Sequence, residues 1–179
     1  WVQLANYMDA VEVPSESLWA QVREAQTQTL SLSHTGQAVI IDIGEAKDIH
    51  PKNKKEVGRR LALHALHNDY GFSDVVCESP MPKTVRRVQD KIVVQFDNVA
   101  DGLIVKNKYG YLMSFAVAGN DGVYKWVQAK VAGKDRVVLS CPDVIDPVSV
   151  RYAWGDNPDD ANLYNSVGLP ATPFEIRIE

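Results

Sequence analysis

The chain has few cysteines, no long apolar run and no strong excess of charge of one sign. Cys77 and Cys141 are the only cysteines among 179 residues, which is too few for a disulfide framework. No apolar run approaches the roughly 18 residues that cross a bilayer, and the formal net charge is −4. Basic clusters such as Arg86-Arg87 are too short to follow a phosphate backbone. These absences argue against a disulfide scaffold, a membrane span and a nucleic-acid partner.

The cysteines and histidines do not form a metal signature. No Cys-x-x-Cys occurs, and the four histidines do not combine with the cysteines at zinc-site spacings; they are His34, His50, His64 and His67. We therefore expect no metal site. Pairing of Cys77 with Cys141 stays open, although buried free thiols are the simpler interpretation.

The first five residues, Trp1 to Ala5, resemble the interior of a strand. They contain neither an initiator Met nor the pattern of a signal peptide. We therefore expect the chain to be part of a longer protein, whose targeting segment would lie upstream.

A first helix is predicted to begin after Pro14–Ser17, because Pro, Ser and Glu occupy the positions that helix starts favour. The helix is predicted to end near Leu30–Leu32. Apolar residues recur at the helical period and comprise Leu18, Val22, Ala25 and Leu30. Polar residues on the same helix are expected to face solvent; they are Arg23, Glu24 and Gln26.

The segment Ala38–Ile43 is almost continuously apolar, which is typical of a strand covered on both faces. The following helix is signalled by Pro51 at its start, by the capping spacing of Asn53 and Glu56, and by Gly71 beyond its end. Its predicted apolar stripe consists of Val57, Leu61 and Ala65. Alternating strands and helices predict right-handed βαβ units and a parallel sheet.

A second compositional regime begins near residue 80, where Pro80 and Pro82 suggest a linker. Five strands separated by Gly, Asn and Asp turns are predicted at Ile92–Phe96, Tyr111–Val117, Val123–Val131, Arg136–Leu139 and Val148–Trp154. Short strands at this spacing indicate an antiparallel sandwich. The sequence thus predicts an α/β part in residues 1–79, followed by an all-β sandwich domain in residues 80–179.

His50 is the best candidate for a catalytic group. It lies in the loop that leaves the carboxyl end of the Ala38–Ile43 strand, and ligands of open α/β sheets bind at that end. An imidazole there can act as a general base near neutral pH, with a carboxylate fixing its tautomer. The simpler interpretation is that Asp48 only faces the positive end of the following helix.

The wider pattern resembles the sialate O-acetylesterase branch of the SGNH (GDSL-like) esterases. The matching segments are spread over nearly the whole chain: Val2–Ala5, Arg23–Gln26, Asp42–Gly44, Asp48–Lys54, Val57–Leu63, Val150–Trp154, Asn162–Asn165 and Gly168–Phe174. They correspond to the carboxyl-terminal portion of that family, including its histidine block.

The resemblance implies a carbohydrate esterase that removes O-acetyl groups from sialic acid or related sugars. A serine attacks the ester, His50 accepts its proton, and main-chain amides hold the oxyanion. The resemblance implies a partial SGNH-type parallel sheet with flanking helices, and no metal or organic cofactor. Such substrates suit the periplasm or the cell exterior.

The acid partner of His50 is open. The SGNH class places its acid three residues before the histidine, where this chain has Lys47. Asp48 lies two residues before His50, on the same side of an extended segment, and is the preferred candidate. Glu45 and Asp42 are alternatives.

The nucleophile of the family is missing from this sequence. No serine has a Gly-Asp-Ser, Gly-Gln-Ser-Asn or Gly-x-Ser-x-Gly context, and Ser15, Ser17, Ser31 and Ser33 are better explained as caps and turns. We expect the serine on an N-terminal chain or segment, and this chain to be inactive alone.

A second hypothesis is a non-catalytic carbohydrate-binding or structural fragment. Four aromatic residues could form a sugar-stacking platform, although strand aromatics more often pack in a core. They are Tyr109, Tyr111, Tyr124 and Trp126.

Overall fold

The computed structural model describes residues 1–179. Two α-helices lie in the first 79 residues: α1 spans Leu18–Gln28, extended by a 3-10 turn at Thr29–Ser31, and α2 spans Lys54–Asn68. All ten strands follow: β1 Met81–Val88, β2 Lys91–Asp97, β3 Leu103–Val105, β4 Phe115–Ala118, β5 Tyr124–Trp126, β6 Gln128–Ala132, β7 Arg136–Ser140, β8 Ser149–Tyr152, β9 Leu163–Asn165 and β10 Phe174–Arg177.

Both helices begin where their capping residues predict. The Ser17 hydroxyl accepts a hydrogen bond from the main-chain N–H of Ala20 at 2.9 Å, and the Asn53 side chain accepts one from Glu56 at 3.2 Å. These bonds satisfy main-chain donors that the first helical turn leaves free. Neither helix has the length and apolar character needed to cross a membrane.

The inward face of α2 differs from the predicted apolar stripe. Leu61 is exposed, and the buried residue of the helix is Arg60. Arg60 Nη1 donates to the carbonyl of Val39 at 2.6 Å, and His64 Nε2 lies 3.0 Å from the carbonyl of Gln37. The polar face turns inward because it satisfies carbonyls of the buried segment beneath it.

The structure contains one parallel bridge, between Val2 and Ala38, where the sequence predicts a partial parallel sheet. Gln3 donates to the carbonyl of Ala38, and Ala38 donates to that of Trp1, both at 2.9 Å. The predicted strand Ala38–Ile43 stops early because the chain turns, with the N–H of Ile43 bonded to Ile40. Its residues Ala38 to Ile41 are buried, and Ile43 is half-buried, without forming a strand.

The ten strands form antiparallel sheets. The strand orders are β1-β2-β7-β6 and β10-β8-β4-β5, with β3 and β9 as a separate pair. Both larger sheets contribute to one core, whose members include Val85, Ile92, Val94, Phe96, Val137, Leu139, Phe115, Val117, Val150, Tyr152 and Phe174. This arrangement fits the predicted sandwich.

Two local predictions in the sandwich were wrong. Pro82, predicted in a linker, lies inside β1, which tolerates proline because it is an edge strand with an irregular register between Pro82 and Thr84. The predicted strand Val123–Val131 is divided at Val127, so that β5 and β6 join different sheets. Cys77 and Cys141 are both free and buried.

Candidate functional site

His50 lies in the loop between the buried segment that ends at Ile41 and the start of α2; we call residues 42–53 the His50 loop. A short antiparallel bridge between Glu45 and Asp48 folds the loop back on itself. Pro51 is buried behind His50, and Asn53 then caps α2. The loop therefore holds His50 at the surface, with 82% of its side chain exposed.

Asp48 contacts His50 in two ways. Its Oδ1 accepts the main-chain N–H of His50 at 2.9 Å and lies 3.5 Å from the ring nitrogen Nδ1. The first contact is the main reason that the pKa of Asp48 lies below its ordinary value, and the facing imidazole acts in the same direction. Asp48 thus stays ionised beside one ring nitrogen, and no serine hydroxyl is hydrogen-bonded to the His50 ring.

The two alternative carboxylates are engaged elsewhere. Asp42 forms a bidentate pair with Arg60 at 2.6 and 2.8 Å, and it accepts from the hydroxyl of Tyr164 at 3.3 Å. Glu45 pairs with Lys52 at 2.7 Å and raises the pKa of that lysine. Asp48 is therefore the candidate carboxylate that lies beside His50.

An ion-pair network anchors the loop to α2. Arg60 bridges Asp42 to Glu56, whose carboxylate also accepts two hydrogen bonds from Arg59. These contacts, with those of Arg59 first, lower the pKa of Glu56 to about 2. The pKa of Tyr164 is raised, chiefly by burial and then by the charge of Asp42. The network thus links Asp42, at the start of the loop, to α2 and to Tyr164 in β9.

The other side of the loop is held by residues near the start of the chain. The Asn6 side chain accepts the main-chain N–H of Gly44 at 2.7 Å and donates to Asn157 at 2.7 Å. The N–H of Met8 donates to the carbonyl of Ala46 at 3.0 Å. These bonds connect the His50 loop, the amino-terminal segment and the sandwich in one polar layer.

Arg23 is buried, contrary to the solvated face predicted for α1. Its guanidinium donates to four main-chain carbonyls at 2.6–2.9 Å, those of Leu4, Ala5, Gly155 and Asp156. Burial lowers the pKa of Arg23 to about 10. The sequence pattern missed this role because two of its partners lie more than 130 residues along the chain.

The four candidate stacking aromatics are divided by the fold. Tyr109 and Tyr111 are exposed, and their rings stack with centroids 6.0 Å apart. Tyr124 is half-buried beneath the guanidinium of Arg151, and the exposed Trp126 donates to the carbonyl of Glu12. They therefore do not form a single platform. No group of three or more His, Cys, Asp or Glu side chains is placed to hold a metal ion.

The fold resembles that of a carbohydrate acetylesterase. The structure superposes on a crystal structure of a carbohydrate acetylesterase from Xanthomonas citri with a TM-score of 0.90 and 44% sequence identity, over 98% of this chain and 40% of that chain. No protein-family model matches the chain.

Among curated proteins, the chain is similar to sialate O-acetylesterases. It is 27% identical to the mouse protein over 99% of this chain and 35% of that protein, and 27% identical to the human protein over 97% and 36%. The resemblance predicted from the motifs is therefore confirmed. The chain spans only about a third of the length of these relatives.

Proposed function

We propose that this chain is the carboxyl-terminal part of a serine carbohydrate esterase and supplies its general base. The observation that carries the proposal is the contact of Asp48 with Nδ1 of His50, in a loop that leaves Nε2 without a protein partner. The likeness to acetylesterases over nearly the whole chain supports it.

In this mechanism His50 Nε2 accepts the proton of a serine hydroxyl as the serine oxygen bonds to the acetyl carbon. The imidazolium then returns the proton to the sugar oxygen as the ester bond breaks. Asp48 stabilises the imidazolium and keeps the remaining proton on Nδ1. In the second half of the reaction, His50 accepts a proton from water as the water oxygen bonds to the acetyl carbon. The imidazolium then returns the proton to the serine oxygen as acetate leaves.

The distance from Asp48 to the His50 ring is 3.5 Å, longer than the roughly 2.6–3.2 Å of a working catalytic hydrogen bond. Such contacts tighten when the substrate binds. His50 is also open to solvent, which suits a base that a second segment and a substrate cover in the active state.

We infer that the nucleophilic serine is carried by a segment or chain that precedes this one in the parent protein. The parallel bridge between Val2 and Ala38 would then be one part of an SGNH-type α/β sheet, with residues 80–179 as its accessory sandwich. The short share of the relatives' length that this chain covers supports this arrangement. Export to the periplasm or the exterior suits an O-acetylated sugar substrate.

Acetate release from O-acetylated saccharides by the parent protein tests the role of the loop. His50→Ala should lower kcat by at least about a thousandfold, because it removes the base. Asp48→Asn should lower kcat by a smaller factor than His50→Ala and should shift the pH profile of kcat. Glu45→Gln should leave kcat unchanged. His34→Asn is the matched control, since His34 is exposed and has a positive φ that Asn tolerates. Full activity of His50→Ala would refute the proposal.

Intact-mass analysis of the purified protein, with amino-terminal sequencing, tests the need for a second segment. Active preparations are expected to contain a Gly-x-Ser-type block, either in a companion species or in one species heavier than 19.9 kDa. Acetate release by a single 19.9 kDa species would show that the serine lies within this chain and that the inferred segment is not needed.

A further inference from the structure

A cavity of about 320 Å³ lies between the amino-terminal segment and the sandwich, and no step of the proposed mechanism uses it. We call it the Trp cavity, because Trp126 and Trp154 line it together with Glu12, Ser114, Asp159 and Asp160. Its volume lies within the range of about 300–1,000 Å³ that is usual for small-molecule sites.

The main chain beside the Trp cavity is held in an unusual conformation. Ser114 and Ala153 both line the cavity and have φ angles of 63° and 50°, in the left-handed region that such residues rarely adopt. They are joined by a hydrogen bond of 3.0 Å from the N–H of Ala153 to the carbonyl of Ser114. Such conformations concentrate at ligand sites.

Trp154 carries an unsatisfied hydrogen-bond donor beside the Trp cavity. Its side chain is only 6% exposed, and its indole N–H has no hydrogen-bond acceptor in the protein. By contrast, the indoles of Trp1, Trp19 and Trp126 each donate to an oxygen. A buried donor without a partner is costly, and this N–H is closed off from the cavity in the structure, so a ligand oxygen can accept from it only after the indole shifts.

The chemistry of the lining favours an uncharged polyhydroxylated ligand. Indole rings stack against the apolar faces of sugar rings, while carboxylates accept hydrogen bonds from hydroxyls. Asp159 is exposed at the rim, and Asp160 is held in place by the hydroxyl of Ser114. With Glu12 these carboxylates repel an anionic sugar.

The Trp cavity continues into a wider groove of about 720 Å³. Leu112, Met113 and Val127 line both, and the exposed Tyr111 lines the groove. The cavity is also connected to the His50 loop, because Asn157 donates to the carbonyl of Met8 at 2.8 Å and Met8 donates to Ala46. A ligand longer than one sugar ring can therefore extend over the sandwich.

We propose that the Trp cavity binds one residue of a neutral oligosaccharide, with neighbouring residues in the adjoining groove. The proposal rests on the proposed function only in choosing a saccharide as ligand. It assigns the sandwich the task of holding the unmodified part of an acetylated glycan.

NMR of the four indole N–H groups of this chain tests the site without any need for catalysis. Cellotetraose, xylotetraose and maltotetraose are the neutral probes, and N-acetylneuraminic acid is the acidic one. At least one neutral probe should shift the Trp154 resonance saturably and leave those of Trp1 and Trp19 unmoved. No saturable shift with any neutral probe, or a Trp154 shift with the acidic probe alone, would overturn the proposal.

Two variants and a matched control locate the binding. Trp126→Ala and Asp159→Asn should each raise Kd by roughly tenfold, because the first removes a stacking surface and the second replaces a charged acceptor of hydroxyl groups with a neutral one. Tyr70→Ala removes an exposed aromatic side chain that lines neither the cavity nor the groove, and it should leave Kd unchanged. A Kd that is unchanged in Trp126→Ala and Asp159→Asn would refute the site.

The two proposals can fail separately. Sugar binding at the Trp cavity with full acetate release by His50→Ala would refute only the catalytic assignment. Loss of acetate release in His50→Ala with no sugar-induced shift of Trp154 would refute only the cavity.

Discussion

Gly44 is the residue of the His50 loop that has no room for a side chain. A Cβ at this position would clash with both the main-chain and side-chain oxygens of Asn6, and the Gly44 N–H bonds to that side chain. The absence of a side chain thus lets the loop approach the amino-terminal segment. Because the same loop carries Asp48 and His50, a shift at Gly44 would also move the candidate catalytic pair.

Gly44→Ala should lower the free energy of unfolding by about 1–3 kcal/mol, because the added methyl displaces the loop or Asn6. Gly58→Ala is the matched control: Gly58 lies in α2 with no atom within 4 Å of its Cβ position. It should raise stability by roughly 0.5–1 kcal/mol. Urea denaturation checks both, and equal effects would contradict the assigned clash.

Contacts between residues that are close in sequence could be predicted. Contacts between residues that are far apart in sequence could not. The proximity of Asp48 to His50 follows from two-residue spacing, and the Asn53 cap from its distance to Glu56. Arg23 bonds to Gly155 across 132 residues, and the unpaired indole of Trp154 depends on the entire sandwich. No local pattern carries such information.

At the scale of elements, α2 is stabilised by charge as well as by its cap. Glu56 lies in its first turn and pairs with Arg59 and Arg60. Arg60 continues to Asp42, so the helix and the His50 loop share one set of ion pairs. The helix is consequently sensitive to protonation of a single carboxylate.

Stability should fall in acid through Glu56. Its pKa drops from an ordinary 4.5 in the unfolded chain to about 2 in the folded one, so the stabilisation is complete above pH 4.5 and is lost as the pH falls from 4.5 towards 2. The Glu56→Gln variant should have a lower free energy of unfolding than the unmodified protein at neutral pH. Its free energy of unfolding should also fall less between pH 4.5 and pH 2. Urea denaturation at several pH values measures the free energy of unfolding of both proteins. The same dependence on pH in both would contradict the role assigned to Glu56.

Helix boundaries were predictable from capping residues, whereas strand pairing was only partly so. The sequence predicted strands near β2, β4, β7 and β8 from their apolar residues. It missed β1, β3, β9 and β10, because short or proline-containing strands depend on partners elsewhere in the sheet. The predicted parallel strands are represented by a single bridge. A continuous run of apolar residues indicates that a segment is buried, but it does not indicate that the segment pairs with another strand.

At the scale of the whole molecule, residues 1–79 and the sandwich share one core. Val39 and Ile41 belong to the same buried cluster as Phe115 and Tyr152. Further bonds cross from Asn6 to Asn157 and from Arg151 to Glu16. The division at residue 80 stays a prediction, and these contacts oppose independent unfolding of its two sides.

We expect one cooperative unfolding transition for residues 1–179. The indole N–H resonances of Trp1, Trp19, Trp126 and Trp154 sample both sides of residue 80, and all four should disappear at the same urea concentration. Loss of Trp1 and Trp19 well before Trp126 and Trp154 would instead show two separately folding domains.

The four carbonyls around Arg23 also set an order of events during synthesis. Helix α1 leaves the ribosome long before Gly155 and Asp156 exist, so the guanidinium first meets only the carbonyls of Leu4 and Ala5. Contacts at such sequence separation form late. The buried site of Arg23 is therefore completed only when almost the whole chain has been made.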